Sequence, residues 1–299
     1  MKVLMYSVLG ERYIGLCVTE GTLNFSQAWE IYRAETPNCS QIEFSSILHM
    51  IASDLFSGKI FTDVYMHLKK HSHLEKCLEK REFTFEPPIS GSIKILALAR
   101  NYRAHAKELG NEPIEEPIIF TKTSNTILPH KGEIIYPEKL TRVDHEIELG
   151  VIIGKKLKYV DEEDAKNAIS GYTIVNDVTA RDLQKADISN QWPWLRSKNF
   201  DTFLPMGPYI VPKEFIKDPN NLNLQLDVNG KKRQMGNTSY MINSIPQVIS
   251  YISGFMSLYP GDVICTGTPE GVAPLNVGDT IDATISGIGT LSNNVISER

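Results

Sequence analysis

The chain has 299 residues, a formal net charge of −5 and no basic stripe that could neutralise several phosphates, so we expect no nucleic-acid or anionic-membrane partner. Hydrophobic residues make up 41% of the sequence and charged residues 22%, as in ordinary globular proteins. No apolar run approaches the roughly 20 residues that span a bilayer, and the first residues lack the features of a secretory signal. We therefore expect a cytoplasmic protein that acts on small molecules.

The first part of the chain reads as a small α+β unit. Residues 3 to 25 alternate apolar runs with glycine turns, which predicts an antiparallel meander. From Ser26 to Lys80 apolar residues recur at three- and four-residue spacings, as in amphipathic helices. Pro87 and Pro88 then impose a stiff, extended segment. We predict an accessory domain of residues 1–90, used for packing or oligomerisation, or to close over the site, and a main domain of residues 91–299.

The main domain reads as short strands rich in Val and Ile, separated by Gly, Asn and Pro turns. The strand-like segments are VIIGKKL, YTIVND, LQLDVNGKKR, DVICTGT and DTIDATISGIGTL. Helical patterns are confined to residues 103 to 109, 160 to 170, the segment after Thr179, and 246 to 256. A regular βαβ series is not supported. The expected fold class is α+β, mainly β.

The four cysteines do not predict a metal site or a disulfide framework. They are Cys17, Cys39, Cys77 and Cys265, far apart in sequence and without the paired spacing of structural zinc sites. Cys265 lies in an apolar strand and could be considered as a nucleophile, but no neighbouring residue suggests an activating base. We expect reduced, buried thiols.

Three carboxylates form the strongest candidate for chemistry. In VDHEIELGVII, strand alternation places Glu146 and Glu148 on one face, with Asp144 before them. Side chains two apart on a strand are about 6–7 Å apart, and buried like charges at that distance repel unless a cation offsets them. Asp177 ends a second apolar strand and could join the pair. Three oxygen ligands suit Mg²⁺ or Mn²⁺; the alternative is a polar strand face and a turn residue.

The residues after Asp177 resemble the start of a helix. Thr179 is placed as the N-cap, and Asp182 then lies in the first turn, where it would accept backbone N–H bonds. We assign Asp182 a structural role. Arg181 could point back toward the acids or bind a substrate carboxylate with its forked guanidinium.

Four segments in this order resemble the fumarylacetoacetate hydrolase family: DHEIELGVIIGK, GYTIVNDVTARDLQ, SKNFDTFLPMGP and CTGTPEGV. The resemblance covers roughly residues 93 to 296, and residues 1 to 90 look like the N-terminal extension of many bacterial members. It implies a β-roll of layered mixed sheets, a homodimer, and one Mg²⁺ or Mn²⁺ per subunit held by Glu146, Glu148 and Asp177. The family's reactions include acylpyruvate hydrolysis, decarboxylation, tautomerisation and sugar-acid dehydration, and the fold does not choose among them.

The resemblance also implies roles for residues outside the acidic cluster. His105 and Glu108, three apart on a short helix before Gly110, match the family's lid dyad and are read as catalytic; without that match an HxxE pair is a solvated surface pair. The other matched positions are Lys198 as a catalytic lysine near the metal, and Arg100, Gln184 and Thr268 as substrate contacts. Without the match, Lys198 is a solvated lysine and Thr268 a turn residue.

This set of residues predicts one intermediate and several products. A 2-oxo acid would chelate the ion, which would stabilise a developing enolate. Water activated by His105 and Glu108 would then hydrolyse an acylpyruvate-type substrate, whereas an oxaloacetate-type diacid would lose CO₂. We expect a divalent-metal-dependent hydrolase or lyase that cleaves a C–C bond in a small 2-oxo acid of the acylpyruvate type. The alternatives are an oxaloacetate-type decarboxylase, a 2-hydroxyhepta-2,4-diene-1,7-dioate isomerase, or a catalytically inactive metal-binding homologue.

Overall fold

The computed structural model describes residues 1–108, 110, 112 and 114–298. Its first part contains the predicted meander and helices, and ends in one short strand. The elements are β1 (Lys2–Val8), β2 (Glu11–Val18), β3 (Gly21–Asn24), α1 (Phe25–Glu35), α2 (Ile47–Ala52), α3 (Gly58–Lys70), α4 (Leu74–Cys77) and β4 (Thr84–Glu86).

The middle of the chain carries most of the residues singled out from the sequence. Its elements are β5 (Ile95–Ala99), α5 (Arg103–Glu108), β6 (Ile118–Lys122), β7 (Ile127–Leu128), β8 (Glu133–Tyr136), β9 (Val143–Asp144), β10 (Ile147–Ile153), α6 (Glu162–Asn167), β11 (Ile169–Asn176), β12 (Thr179–Ala180), α7 (Arg181–Ser189) and α8 (Leu195–Lys198). Helix α5 matches the predicted helix; its expected last residue, Leu109, lies outside the described residues.

The last third is mainly strand. It contains β13 (Leu204–Pro212), β14 (Asn223–Val228), β15 (Lys231–Asn237), α9 (Ile245–Phe255), β16 (Val263–Cys265), β17 (Thr280–Ile285) and β18 (Gly289–Ser297), with single 3₁₀ turns at Ser124–Thr126, Lys213–Phe215 and Thr238–Tyr240. Strands outweigh helices along the chain. The predicted α+β, mainly β fold class is confirmed.

Within the described residues the strands form three sheets. The largest has the order β3-β2-β1-β13-β11-β10-β16-β5-β6, with β4 added beside β1 and β7 beside β13. A second sheet has the order β15-β14-β17-β18-β8, and β9 pairs with β12 in a third, two-stranded sheet. Most pairings are antiparallel; β7, β5 and β8 pair in parallel with β13, β16 and β18. This arrangement is a layered mixed-sheet roll without a βαβ series.

Local sequence explains where several elements begin and turn. The Ser244 side chain caps α9 and Gln247 returns the bond in a capping box, with Pro246 in the first turn. The β14–β15 hairpin turns at Asn229 and Gly230, both in the left-handed region with φ of 52° and 70°. That conformation matches the type I′ turns that two-residue hairpins favour. Capping and turn chemistry therefore fix the ends of these elements.

The N-terminal meander belongs to the same sheet as the centre of the molecule, because β1 pairs with β13 as well as with β2. Its core includes apolar residues of both parts, such as Phe25 and Phe61 with Val175 and Cys265. The boundary at residue 90 stays a prediction. No helix of the described chain combines the length and apolar character needed to cross a membrane.

Candidate metal centre

Antiparallel pairing brings the three predicted acids together. In the β10–β11 ladder Ile147 lies opposite Asn176, so the residue before β10, Glu146, meets the residue after β11, Asp177. The Asp177 N–H donates to the Glu146 carbonyl at 2.8 Å, and the Glu146 N–H donates to Asn176 Oδ1 at 2.8 Å. The Asn176 side chain thus replaces a ladder bond where the strands end. One end of one strand pair fixes the site.

The three carboxylates converge on one buried point. An oxygen atom from each of Glu146, Glu148 and Asp177 lies within 4.8 Å of the others. The residues are 4%, 1% and 0% exposed. The predicted strand is interrupted at residues 145–146, between β9 and β10. Asp144 therefore does not join the group and instead accepts bonds from Arg142 and Arg181.

Two buried lysines bind the acids. Lys198 Nζ donates to Glu146 Oε2 at 2.9 Å, to Asp177 Oδ2 at 2.6 Å and to the Thr179 hydroxyl at 2.7 Å. Lys122, at the end of β6, donates to Asp177 Oδ1 at 2.6 Å and to the Phe203 carbonyl at 2.7 Å. Asp177 is therefore held on both oxygens. Lys198 occupies the place near the acids that the resemblance implied.

Arg181 points toward the acids. Its Nε donates to Asp144 Oδ2 at 2.8 Å, one terminal nitrogen donates to Gln184 Oε1 at 2.5 Å, and the other binds Glu146. The helix begins at Arg181 with Ala180 as its N-cap and no capping side chain. The predicted N-cap, Thr179, was wrong, because its hydroxyl donates to the Asp177 carbonyl and accepts from Lys198. Asp182 has the expected structural role: it accepts the Thr141 N–H and hydroxyl.

The lysine and arginine side chains neutralise some of the acids more than others, and this difference indicates where a metal ion would fit. Burial opposes the charge on Glu146, but Lys198 and Arg181 outweigh it and hold its pKa well below the usual range. Burial, with Asp177 and Glu146 nearby, raises the pKa of Glu148 well above its ordinary value. Among the residues that the structure describes, no lysine or arginine reaches Glu148; it accepts the Gly267 N–H at 2.8 Å. A divalent cation would supply the missing positive charge.

His105 and Glu108 form the predicted pair on α5. His105 Nδ1 lies 3.1 Å from Glu108 Oε2, and the Gly271 N–H donates to Glu108 Oε1 at 2.9 Å. Burial works against the Glu108 charge, but these hydrogen bonds outweigh it and lower the pKa of Glu108. His105 is buried and lines the same cavity as Glu146 and Glu148. His105 therefore faces the acids, while Glu108 orients it from a position that is partly exposed to solvent.

A cavity of about 100 Å³ connects the acids with the predicted substrate contacts. Its lining includes Arg100, Gln184, Lys198 and Thr268 together with apolar side chains such as Phe120 and Trp194. The Arg100 guanidinium carbon lies 6.0 Å from the Trp194 ring centroid. No described residue accepts a hydrogen bond from that guanidinium, and burial lowers its pKa. A cation in this state can bind a substrate anion.

Thr268 is fixed by a residue that the sequence analysis missed. Fully buried Gln234 on β15 donates to the Thr268 hydroxyl at 2.8 Å and to the Pro269 carbonyl at 2.8 Å. Its Oε1 accepts from His145 Nδ1 at 2.8 Å and from the Ile147 N–H at 3.2 Å. Gln234 thus ties the strand that carries the acids to the loop that carries Thr268.

The other residue missed was Lys122, which carried a readable signal. It ends the apolar strand IIFTK, as Asp177 ends YTIVN, and a charged residue at the end of a buried strand is a candidate for a site. Gln234 carried no such signal, because it lies on a half-exposed hairpin of another sheet. Only the packing of the two sheets brings it to the acids.

Comparisons with known proteins identify the family of the chain. Residues 94–296 match the family model of the fumarylacetoacetate (FAA) hydrolase C-terminal domain. The mitochondrial oxaloacetate tautomerase FAHD1 of Arabidopsis thaliana is 46% identical over 202 residues, which are 68% of this chain and 90% of that protein.

Two solved structures of hydrolases are also similar. The fumarylacetoacetate hydrolase of Exiguobacterium antarcticum is 28% identical and superposes with a TM-score of 0.81, covering all of both chains. The fumarylpyruvate hydrolase of Pseudomonas aeruginosa, in complex with Mn²⁺ and pyruvate, is 34% identical with a TM-score of 0.67, covering 72% of this chain and 92% of the other. The chain belongs to the fumarylacetoacetate hydrolase family.

Proposed function

We propose that this protein is a Mg²⁺- or Mn²⁺-dependent enzyme that cleaves a C–C bond of a small 2-oxo diacid through an enolate, with oxaloacetate as the leading substrate. Decarboxylation would give the enolate of pyruvate directly, whereas tautomerisation would pass through the enolate of intact oxaloacetate at the same site. The relative named as an oxaloacetate tautomerase and the relative bound to Mn²⁺ and pyruvate support this substrate class and this ion.

The observation that carries the proposal is the charge around a small cavity. Four carboxylates face four cations in the cluster: Asp144, Glu146, Glu148 and Asp177 against Lys122, Lys198, Arg142 and Arg181. A divalent ion would leave two surplus positive charges, and Arg100 adds a third at the cavity wall. A space of about 100 Å³ is far smaller than the roughly 300–1,000 Å³ of drug-sized pockets. A small dianion fits both the charge and the size.

When bound, the ion would accept the carboxylate and keto oxygens of the 2-oxo acid and withdraw charge from the adjacent carbon. Lys198 and Arg181 keep Glu146 ionised as a ligand, and Lys122 orients Asp177. Arg100 binds the remote carboxylate, and its desolvated position strengthens that ion pair. His105, aligned by Glu108, would deliver a proton to the enolate carbon, or in tautomerisation remove the proton next to the keto group that forms the enolate.

Hydrolysis of an acylpyruvate is the second candidate, and the dyad favours it. Glu108 accepts a hydrogen bond from His105 Nδ1. The other ring nitrogen, Nε2, is then free to take a proton from a water molecule. That water would attack the distal carbonyl and release the same enolate. The two reactions differ in whether a water molecule shares the cavity with the substrate.

The test uses EDTA-treated protein supplied with Mn²⁺ and three substrates: oxaloacetate, acetylpyruvate and fumarylpyruvate. Separate assays follow pyruvate release, enol–keto conversion and loss of the acylpyruvate. The rate at which the metal ion alone decarboxylates oxaloacetate is subtracted. We expect EDTA-sensitive turnover with oxaloacetate, and a loss of at least about a hundredfold in Glu146→Gln. Glu162→Gln, an exposed acid on α6, is the matched control and should retain full activity.

Each outcome decides between the candidates. Turnover of acetylpyruvate or fumarylpyruvate without oxaloacetate would replace the leading proposal by the hydrolase. The third candidate, a metal-binding homologue without activity, predicts Mn²⁺ binding and no turnover of any substrate. Unchanged activity in Glu146→Gln would exclude the acidic cluster as the reactive centre.

A further inference from the structure

A histidine cluster lies away from the acids, where the ends of two N-terminal helices meet. Three of the chain's seven histidines are in it. His67 is in the last turn of α3, His71 is its C-cap residue, and His73 follows two residues later. The fourth member is Glu35, the last residue of α1. The catalytic proposal uses none of these residues.

The four side chains are in contact through one carboxylate and one stack of rings. His67 Nε2 lies 2.9 Å from Glu35 Oε2, and His73 Nε2 lies 3.0 Å from Glu35 Oε1. The His71 ring centroid is 4.5 Å from that of His67 and 6.4 Å from that of His73. His71 is exposed, so its ring can turn toward a ligand shared with the others. Glu35 thus joins two imidazoles, and a third is beside them.

The chemistry of these donors points to a transition-metal ion. Imidazole nitrogens with one carboxylate oxygen are ligands of Zn²⁺, at bond lengths of about 2.0–2.2 Å. Bonds of that length in a tetrahedral site place ligand atoms about 3.3 Å apart. The two histidine–glutamate distances are within a few tenths of an ångström of this value. His67 and His73 approach different oxygens of Glu35, and among the described residues only Glu146, Glu148 and Asp177 already have three ligand atoms within 4.8 Å of one another. Side-chain rotations must therefore bring the histidine ligands together around an ion.

The surroundings favour a cation at this place. Both α1 and α3 end here, and the carbonyl groups at a helix C-terminus carry partial negative charge. The His67 and Tyr32 rings pack in a T-shaped arrangement, with ring centroids 5.2 Å apart and an interplanar angle of 88°. That contact fixes one imidazole before any ion arrives.

We propose that His67, His71, His73 and Glu35 form a second metal site, selective for Zn²⁺ and similar transition ions, which links the ends of α1 and α3. Its ligands differ in kind from those of the acidic centre, where oxygen ligands alone suit Mg²⁺ or Mn²⁺. Binding would connect two helices that already pack through Phe25 and Phe61, with ring centroids 4.9 Å apart.

The experiment measures Zn²⁺ binding by calorimetry to EDTA-stripped, full-length Glu146→Gln protein, in which the acidic centre is weakened. Co²⁺ then serves as the spectroscopic probe at the same site. We expect one Zn²⁺ per chain that excess Mg²⁺ does not displace, and visible Co²⁺ absorption without the intense near-ultraviolet band of a thiolate ligand. His71→Gln should weaken Zn²⁺ binding at least tenfold, and His67→Gln with His73→Gln should abolish it. His49→Gln, an exposed histidine on α2, is the control.

Three results would overturn the proposal. They are Zn²⁺ affinity that is unchanged in His71→Gln and in the double variant, loss of all Zn²⁺ binding in Glu146→Gln alone, and a thiolate band with Co²⁺. His71 is exposed, so its substitution tests the site without disturbing the fold. Because catalysis is not the readout, failure here leaves the proposed reaction untouched.

Discussion

At the scale of single residues, Glu146 and Glu148 show how position decides charge. They are two residues apart, with Glu146 just before β10 and Glu148 within it, but Lys198 and Arg181 donate hydrogen bonds only to Glu146. Glu148 is buried beside two other carboxylates, so its pKa is raised, whereas the pKa of Glu146 is lowered. A carboxyl group of this kind retains its proton until a cation replaces it. Metal affinity at this site should therefore increase with pH.

Arg100 should decide which distal group a substrate carries. Removing a charged hydrogen-bonding group costs about 1.5–3 kcal/mol, so Arg100→Gln should lower kcat/KM for oxaloacetate about tenfold to a hundredfold. Acetylpyruvate lacks the remote carboxylate and should be affected much less. Parallel steady-state kinetics on both substrates, with exposed Arg103→Gln as the control, provide the measurement. An equal loss on both substrates would contradict a carboxylate-binding role.

His130 should make the fold sensitive to acid. Burial, with Lys131 nearby, lowers its pKa from 6.5 to about 4, and His130 Nδ1 accepts the Ser292 N–H at 2.9 Å. The imidazole of the unfolded chain is protonated below about pH 6.5, whereas that of the folded chain stays neutral down to about pH 4. The stability that is present above pH 6.5 is therefore lost as the pH falls toward 4. The site is half-exposed, so we expect a loss of about 1 kcal/mol.

Urea unfolding at pH 7 and pH 4 tests this effect. His130→Asn keeps an acceptor for the Ser292 N–H but does not titrate, so it should lose about 1 kcal/mol less than the wild type over this interval. Acids elsewhere act equally in both proteins and cancel in the comparison. Identical pH dependence of the two proteins would refute the assignment.

At the scale of elements, two strand pairs build the site. The β10–β11 ladder determines that the acids meet, because the start of one strand lies opposite the end of the other. The β14–β15 hairpin of the second sheet supplies Gln234, whose four hydrogen bonds are all directed to the loop and strand of the site. Contact between the sheets therefore orders the wall of the cavity.

Replacing Gln234 should cost stability and disturb substrate binding. Gln234→Met keeps the side-chain length but leaves buried groups of His145 and Ile147 without an acceptor, and each such group costs about 1–3 kcal/mol. We expect a decrease of about 2–4 kcal/mol in the free energy of unfolding and a raised KM. Met235→Ala, at the exposed neighbouring position, should change stability by less than about 1 kcal/mol. Equal effects of the two substitutions would show that the buried bonds add nothing.

At the scale of the whole molecule, the N-terminal meander extends the large sheet through β1 and β13. The described chain thus has an apolar core shared between residues 1–90 and the strands behind the acids. The homodimer, the cytoplasmic location and the role of residues 1–90 stay predictions. What the fold contributes directly is a rigid frame around a buried acidic cluster.

Metal binding should stabilise this frame as a whole. An ion at a hundred times its Kd adds about 2.7 kcal/mol to the free energy of unfolding, so Mn²⁺ should raise Tm by several degrees and EDTA should reverse the shift. Glu148→Gln resembles the protonated carboxyl group, so the stability of the metal-free protein should change by less than about 1 kcal/mol. Its Mn²⁺ response should largely vanish. A full Mn²⁺ shift in Glu148→Gln, measured by calorimetry, would exclude Glu148 as a ligand.

The sequence by itself determined the fold class, the family and the three acids. Strand alternation and strand ends are local patterns, and the order of the motifs can be read directly along the chain. Only the tertiary structure decided which cations bind which acid, placed Lys122 and Gln234 at the site, and directed Asp144 and Arg181 toward each other. It also excluded Thr179 as the helix cap, since its hydroxyl is bound to Asp177 and Lys198. These contacts join residues up to 89 positions apart, and no local pattern encodes such pairings because sheet packing sets them.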